Sequence, residues 1–310
     1  MKVNILMSTY NGEDFLAEQI ESIQAQTFEN WQLLIRDDGS SDRTPEIIEN
    51  YQKKDQRIRF INADKRENVG VVENFFTLVK YETADYYFFS DQDDVWLKDK
   101  LEVTLEEAGK YDRSAPLAVY TDLKTVNRDL AVLQESMIKA QSGHANTDLL
   151  SELTENTVTG GTMLINQCLA EKWQHCRQLL MHDWYLALMA SASGHLVYLD
   201  KATELYRQHD NNVLGARTWS KRLKNWLRPH KLLEKYWRLI TASQKQAENL
   251  LDLDLSDENR DLVKAYVHLL DNPFSERLKL LRSYGFRKNR AFHTFVFRTL
   301  IITKFGYRRK

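Results

Sequence analysis

Phe88-Phe89-Ser90-Asp91-Gln92-Asp93-Asp94 joins an apolar run that begins at Tyr86 to three carboxylates within four residues. Such acids repel one another, and neither helix nor strand propensity favours clustering them. A hard divalent cation beside a diphosphate does: Mg²⁺ or Mn²⁺ takes oxygen ligands and is held by one or two carboxylates plus substrate phosphates. A solvated acidic turn is the plain alternative for so short a pattern. The remainder of the first 100 residues weighs against that alternative.

Apolar runs and helical stripes alternate up to about residue 210, as in an α/β domain around a mostly parallel sheet. Val3–Met7, Trp31–Ile35, Ile58–Ile61 and Tyr86–Phe89 read as strands, followed later by Leu117–Thr121, Thr162–Ile165 and Leu196–Leu199. Phe15, Leu16, Ile20 and Ile23 give a helical face within Glu13–Ile23. Ile47, Ile48 and Tyr51 give another, with Thr44 as the expected N-cap and Pro45 in the first turn. Further helices are expected at Val71–Val79 and Asp183–Ala190. Sites on such sheets lie beyond the carboxyl ends of the strands, which brings Ser8–Asn11, Asp37–Ser40 and Ser90–Asp94 to one edge. Neither a dinucleotide-binding G-x-G-x-x-G nor a P-loop stands at these turns.

Hydrophobic residues at 43% and aromatics at 11% are enough for a packed core, and 310 residues accommodate a large domain with an appendage. Cys168 and Cys176 fit a reduced, cytosolic setting as small core residues. The first residues read as a strand and not as a charged-then-apolar signal segment, so none is expected, and there is no run of about 18 uncharged apolar residues. A net charge of −1 conceals an asymmetry. Residues 216–310 carry 22 Lys and Arg against 9 Asp and Glu, while the remainder carries 21 against 35. Two modules are expected: residues 1–212, catalytic, and residues 213–310, basic and helical.

Ile5-Leu6-Met7-Ser8-Thr9-Tyr10-Asn11, Gln26-Thr27-Phe28, Asp37-Asp38-Gly39-Ser40-Ser41-Asp42, Asn68-Val69-Gly70 and Asp91-Gln92-Asp93-Asp94 form an ordered set. Over roughly residues 1–210 this resembles the GT-A fold of the family 2 inverting glycosyltransferases. Within that family the whole chain is most similar to the rhamnosyltransferases of streptococcal cell-wall rhamnose polysaccharide synthesis. The resemblance implies that Thr9, Tyr10 and Asn11 line a nucleotide pocket and that Asp38 accepts a hydrogen bond from a pyrimidine ring N–H. It implies that Asn68 and Gly70 help close the pocket, that Asp91 lies near the ribose and metal, and that Asp93 binds the metal, Mn²⁺ or Mg²⁺. Asp37 is read either with Asp38 or as a turn residue, and Asp94 as a ligand or a cap for Val95–Leu101.

Inversion in one displacement needs a carboxylate that takes the acceptor hydroxyl's proton. The resemblance places Asp183 there, in Met181-His182-Asp183-Trp184, against the simpler role of helix N-cap. His182 stands where the family often has an acid. Trp184 either stacks on an acceptor sugar or belongs to the core. Arg207 and His209 fall in a stretch near the diphosphate in relatives, although an exposed loop histidine is more often only solvated. Thr159-Gly160-Gly161-Thr162 either lets the backbone approach the acceptor or is a tight strand entry.

After Asn211 the pattern turns helical and basic. Trp219, Leu223, Trp226 and Leu227 share a face, and Leu232, Leu233, Tyr236, Trp237 and Ile240 renew it after Pro229. Ser256 caps a further helix, and Phe292–Phe305 closes the chain with an apolar segment. Apolar faces beside Lys and Arg suit an anionic membrane surface, as a polyprenyl-diphosphate-linked acceptor would require on the inner face of the plasma membrane. Packing on the catalytic domain or in a homodimer is the alternative. No nucleic-acid partner is expected, since the catalytic half is acidic and no binding module is present. The expected activity is transfer of L-rhamnose from dTDP-β-L-rhamnose. The alternatives are a UDP-hexose or UDP-N-acetylhexosamine donor, or a non-catalytic glycan- or membrane-binding module.

Overall fold

Seven residues of strand β1, Val3–Thr9, run between two parallel neighbours, β2 (Trp31–Asp37) and β4 (Tyr86–Ser90). Val3, Ile5 and Met7 point to one core and Leu6 to the other, the period-2 alternation of a strand buried on both faces. The computed structural model describes residues 1–208 and 229–307. β3 (Ile58–Phe60) pairs with β2, so the chain winds outward from β1 in one direction and then crosses back to add β4 on the other side. That reversal opens a crevice between the carboxyl ends of β1 and β4, where ligands of such sheets bind.

Beyond β4 the sheet changes direction. β8 (Met163–Asn166) enters antiparallel, then β6 (Leu117–Val126), β9 (His195–Arg207) and the short β5 (Val95–Trp96) complete the order β3-β2-β1-β4-β8-β6-β9-β5, with β7 (Val132–Gln134) beside β6. Helices α1 (Leu16–Gln24), α2 (Thr44–Lys54) and α4 (Lys100–Ala108) cover one face, and α3 (Val71–Tyr81) and α8 (His182–Ser193) cover the other. Three short helices, α5 (Met137–Gln141), α6 (Leu149–Thr154) and α7 (Gln167–Lys172), fill the connections.

Thr44 is the first residue of α2 rather than its cap, because its hydroxyl is used elsewhere: Oγ1 accepts the Gly12 N–H at 2.8 Å. The first helix starts at Leu16, three residues later than the expected start at Glu13, since Gly12 O accepts the N–H groups of Phe15 and Leu16 in a preceding turn. β6 and β9 extend well past their apolar runs because they pair with each other through polar positions such as Asp122 and Lys124. Cys168 and Cys176 are free thiols but only half-buried, not core residues.

The C-terminal helices are α9 (Pro229–Glu248), α10 (Asp257–Val267), α11 (Phe274–Ser283) and α12 (Ala291–Thr303). Ser256 caps α10 as its sequence position suggests, accepting the Asn259 N–H at 3.2 Å. Trp237, Ile240, Leu250, Tyr266 and Phe297 join the buried cluster that contains Leu186 and Leu188 of α8. The basic region is therefore built onto the α/β body through a shared core, and Trp237 takes the packing role, its Nε1 donating to Phe305 O at 2.9 Å. The expected boundary between residues 212 and 213, His209, and the face of Trp219 and Trp226 lie outside the described residues.

Candidate active site

Three loops meet at the crevice, and hydrogen bonds between them set its shape. The β2–α2 turn is organised by Asp37, fully buried, whose carboxylate accepts from the N–H groups of Gly39 and Ser40 and from the hydroxyls of Ser40 and Thr9. That is the turn reading of Asp37. Asp38 faces the next loop. Its Oδ1 accepts the Val69 N–H at 2.7 Å and its Oδ2 the Gly70 N–H at 3.0 Å, while Arg36 lies 3.3 Å away. Gly70 has φ +83°, open only to glycine at low cost, and so lets the chain double back onto Asp38. Asn68 is exposed on the same loop.

Asn11 sits in the left-handed region at φ 47°, a conformation that asparagine tolerates better than most residues. From there its N–H donates to Ser40 Oγ and its Oδ1 accepts the Ser41 N–H, tying the first loop to the second. Tyr10 is 51% exposed at the mouth. Gln92, the middle residue of the acidic stretch, brackets the Tyr10 backbone: its Oε1 accepts the Tyr10 N–H at 2.8 Å and its Nε2 donates to Tyr10 O at 2.9 Å. A side chain on Gly12 would collide with this amide.

The acidic stretch itself is crowded. Asp91 keeps part of its surface open, yet burial, then the charges of Asp93, Glu204 and Asp183, push its carboxyl up to about 8. Asp94 is buried; its Oδ1 accepts the Arg207 N–H and its Oδ2 has no partner. Burial and the acids Glu204, Asp93 and Asp91 hold it well above the carboxylate range. Asp94 thus anchors the end of β9 instead of capping the segment after it. Arg207 is also buried, with Nε donating to Asp93 O at 3.0 Å and the other nitrogens reaching Arg128 O and the Glu18 carboxylate. Its guanidinium clasps the acidic loop from behind.

Lys100, which sequence reading passed over, lies fully buried beneath this loop. Nζ contacts Gly161 O at 2.5 Å and pairs with Glu204, and it stands 4.3 Å from the centre of the Trp96 ring. Burial lowers its pKa, opposed by Glu204, Asp94 and Asp91. A lysine in an amphipathic helix reads as solvated, and its partner lies 104 residues away, so no local signal marks it.

Asp183 is the second residue of α8, one position inside the helix, so it is not the N-cap; Met181 is, without a side-chain bond. Its Oδ2 accepts the Gly160 N–H at 3.1 Å and its Oδ1 the Trp184 N–H at 2.6 Å. Burial raises the carboxyl to about 6 against those two bonds. The Gly160–Gly161 turn therefore lies between Asp183 and Lys100, one N–H toward the first and one carbonyl toward the second. Trp184 takes the core reading, buried with Nε1 donating to Glu152 O at 2.8 Å. His182, beside Asp183 in sequence, packs against Phe75, ring centroids 4.2 Å apart, and burial lowers its pKa to about 3, so it is neutral.

Asp91 and Asp93 offer two carboxylates at the open end of the crevice. Among the described residues no group of three or more metal-ligating side chains is placed to hold an ion unaided. Two carboxylates that repel each other, with a substrate diphosphate to complete the oxygen shell, are the donor set for Mn²⁺ or Mg²⁺.

A family model described as Glycosyl transferase family 2 matches residues 4–174. A dTDP-rhamnosyl transferase, RfbG, of Shigella flexneri is 32% identical over 221 residues, 68% of this chain and 74% of that protein. A putative teichuronic acid biosynthesis glycosyltransferase, TuaG, of Bacillus subtilis is 26% identical over 226 residues, covering 72% of this chain and 85% of its own. Among solved structures, S. aureus TarS in complex with UDP-GlcNAc superposes with a TM-score of 0.58 at 16% identity, over 100% of this chain and 93% of that one. Mannosyltransferase PcManGT from Pyrobaculum calidifontis, in complex with GDP-Man and Mn²⁺, gives 0.54 at 12% identity over 91% and 74%. These structural likenesses establish the fold as GT-A-like, followed by a helical C-terminal region.

Proposed function

The chain belongs to glycosyl transferase family 2, and from that premise we propose that it transfers L-rhamnose from dTDP-β-L-rhamnose to a polyprenyl-diphosphate-linked glycan in cell-wall polysaccharide synthesis, with inversion. The observation that carries the mechanism is Asp183: a buried carboxylate, oriented by the Gly160 and Trp184 N–H groups and raised to about 6, across from Asp91. A general base is most effective when its pKa lies near the working pH.

Asp183 accepts the acceptor hydroxyl's proton as that oxygen bonds to the anomeric carbon and the bond to the nucleoside diphosphate breaks. Thr9, Tyr10, Asn11, Asp38 and Asn68 seat the nucleotide; Asp38 acts both by holding Val69 and Gly70 and by offering its remaining lone pairs to a pyrimidine N–H. Asp91 and Asp93 would hold Mn²⁺ or Mg²⁺, which offsets the charge of the departing diphosphate. Arg207 keeps the backbone of Asp93 in place. The donor assignment is supported by likeness to the Shigella flexneri dTDP-rhamnosyl transferase. A lipid-linked acceptor places the enzyme peripherally on the cytoplasmic face of the plasma membrane; among the described residues no helix is long and apolar enough to cross it.

The test is nucleotide release from a panel of dTDP- and UDP-sugars with Mn²⁺ and a lipid-linked acceptor. Acceptor-dependent release of dTDP from dTDP-rhamnose, lost in Asp183→Asn, is expected. Release of UDP instead would overturn the rhamnose assignment and leave the mechanism standing, whereas donor binding without release from any sugar would overturn catalysis.

A further inference from the structure

The last 25 residues, Phe286 to Lys310, contain eight Lys and Arg and no Asp or Glu. Within them α12 turns Phe297, Leu300 and Ile301 into the core while leaving Phe292 63% and Phe295 69% exposed; Phe305, just past its end, is 70% exposed. Phe292 and Phe295 are one helical turn apart and so stand side by side. Large aromatic side chains seldom remain this open on a surface without a partner.

Arg287, Lys288 and Arg298 line the same groove as Phe295. Arg287 and Arg290 are exposed. Arg290 donates to Ala140 O, and Arg298 to Phe286 O and Gly285 O, so their N–H groups are satisfied by carbonyls that leave the charge unneutralised. Between α12 and the preceding loop lies an open groove of about 660 Å³, lined by Arg287, Lys288, Arg298, Phe295, Thr299 and Ile302 among others. Glu155 is the acid near Lys288, and its carboxylate accepts the Asn289 N–H.

We propose that the exposed face of α12 is the membrane-docking surface of this protein, with Phe292 and Phe295 entering the interface of an anionic bilayer and the basic groove receiving lipid phosphate. The proposal rests on the peripheral reading above and says which face meets the lipid. Aromatic side chains flanked by arginine are the composition of a helix lying in a headgroup region, and each cation near an anionic surface adds to the attraction. A second copy of the chain is the poorer occupant. In a two-fold dimer the same patch meets itself, and a patch that carries Arg287, Lys288, Arg290 and Arg298 would oppose its own charge.

The face is also braced to the acceptor side of the site. Thr154 Oγ1 donates to Arg287 O at 2.5 Å, Lys288 Nζ donates to Thr154 O, and the Asn289 N–H reaches Glu155. The same segment carries Glu152, whose carbonyl holds Trp184, the neighbour of the base. Docking here would present the lipid surface to the side of the cleft where Asp183 works.

Sedimentation of the full chain with vesicles of phosphatidylcholine alone, or of phosphatidylcholine and phosphatidylglycerol in equal parts, tests this without any donor. Binding is expected to the anionic vesicles only. Phe292→Ser with Phe295→Ser should weaken it by about tenfold or more, and Arg287→Glu by about fivefold or more. Both variants should retain nucleotide release with a soluble acceptor, which shows that they fold. Anionic-vesicle binding unchanged in both variants, or equal binding to neutral vesicles, would overturn the proposal. So would a dimer in analytical ultracentrifugation that the double variant abolishes. An active protein that ignores vesicles defeats this inference alone, and an inactive one that binds them defeats only the proposed function.

Discussion

Two sets of carboxylates share one edge of the sheet and are treated in opposite ways. Asp37 and Asp38, at the end of β2, have both carboxylate oxygens hydrogen-bonded: backbone N–H groups, hydroxyls and Arg36 meet them. Asp91, Asp94 and Asp183 are crowded or buried, with pKa values raised. Charge that is fully hydrogen-bonded builds structure, whereas charge that is desolvated and opposed by its neighbours is held at a cost to stability. The first set makes the cleft and the second equips it, a division typical of sites where pKa values are perturbed for use.

The sharpest way to break this division is Asp183→Asn. Turnover should fall by about a thousandfold, with little change in donor KM, as for loss of a general base. Because burial raises this carboxyl from 3.8 to about 6, the native protein loses stability as pH rises through that window. The variant should therefore gain in thermal denaturation relative to the native chain above about pH 6, and the gain should vanish in more acidic buffer. A variant that is both inactive and destabilised at high pH would place Asp183 in the first set.

Removing the divalent ion with a chelator, or Asp93→Asn in the presence of ion, should cost about a hundredfold or more in turnover, read from nucleotide release across a Mn²⁺ titration. Lys100→Met, by stranding Glu204 in the interior, should lower unfolding free energy by about 3–5 kcal/mol. Adding Glu204→Leu to Lys100→Met should restore much of that in denaturant melts, which would show the pair to be coupled. Asp38→Ala leaves two N–H groups without acceptors and should cost about 1–3 kcal/mol, together with a weaker nucleotide affinity by calorimetry. The mildest effect is on pH: kcat/KM should decline about tenfold per unit below about pH 6 and level off above it, as Asp183 takes up a proton.

The hydrogen-bonded set is the more legible in sequence, because turn chemistry is local. The alternative reading of Asp37-Asp38-Gly39 is a tight turn, and Asp37 makes it. Strands β1 to β4 were equally plain, their apolar runs being buried on both faces. Lys100 and Glu204 were invisible, since nothing near either residue forecasts its partner. β7, fully exposed, and the polar ends of β6 and β9 were missed because no apolar pattern marks them. The resemblance puts Arg207 near the diphosphate, but its position behind Asp93 depends on Glu18 and Arg128, far from it and from each other in sequence.

Gln92 gives the acidic stretch a second grammar. By offering one acceptor and one donor to the Tyr10 backbone it imitates a neighbouring strand, lengthening the sheet by a single rung made of side-chain amide. The loop after β1 and the loop that bears the acids are thereby fixed in register like adjacent teeth of a gear. A neutral change as small as Gly12→Ala, which would push that amide aside, can disengage them without altering any charge in the cleft.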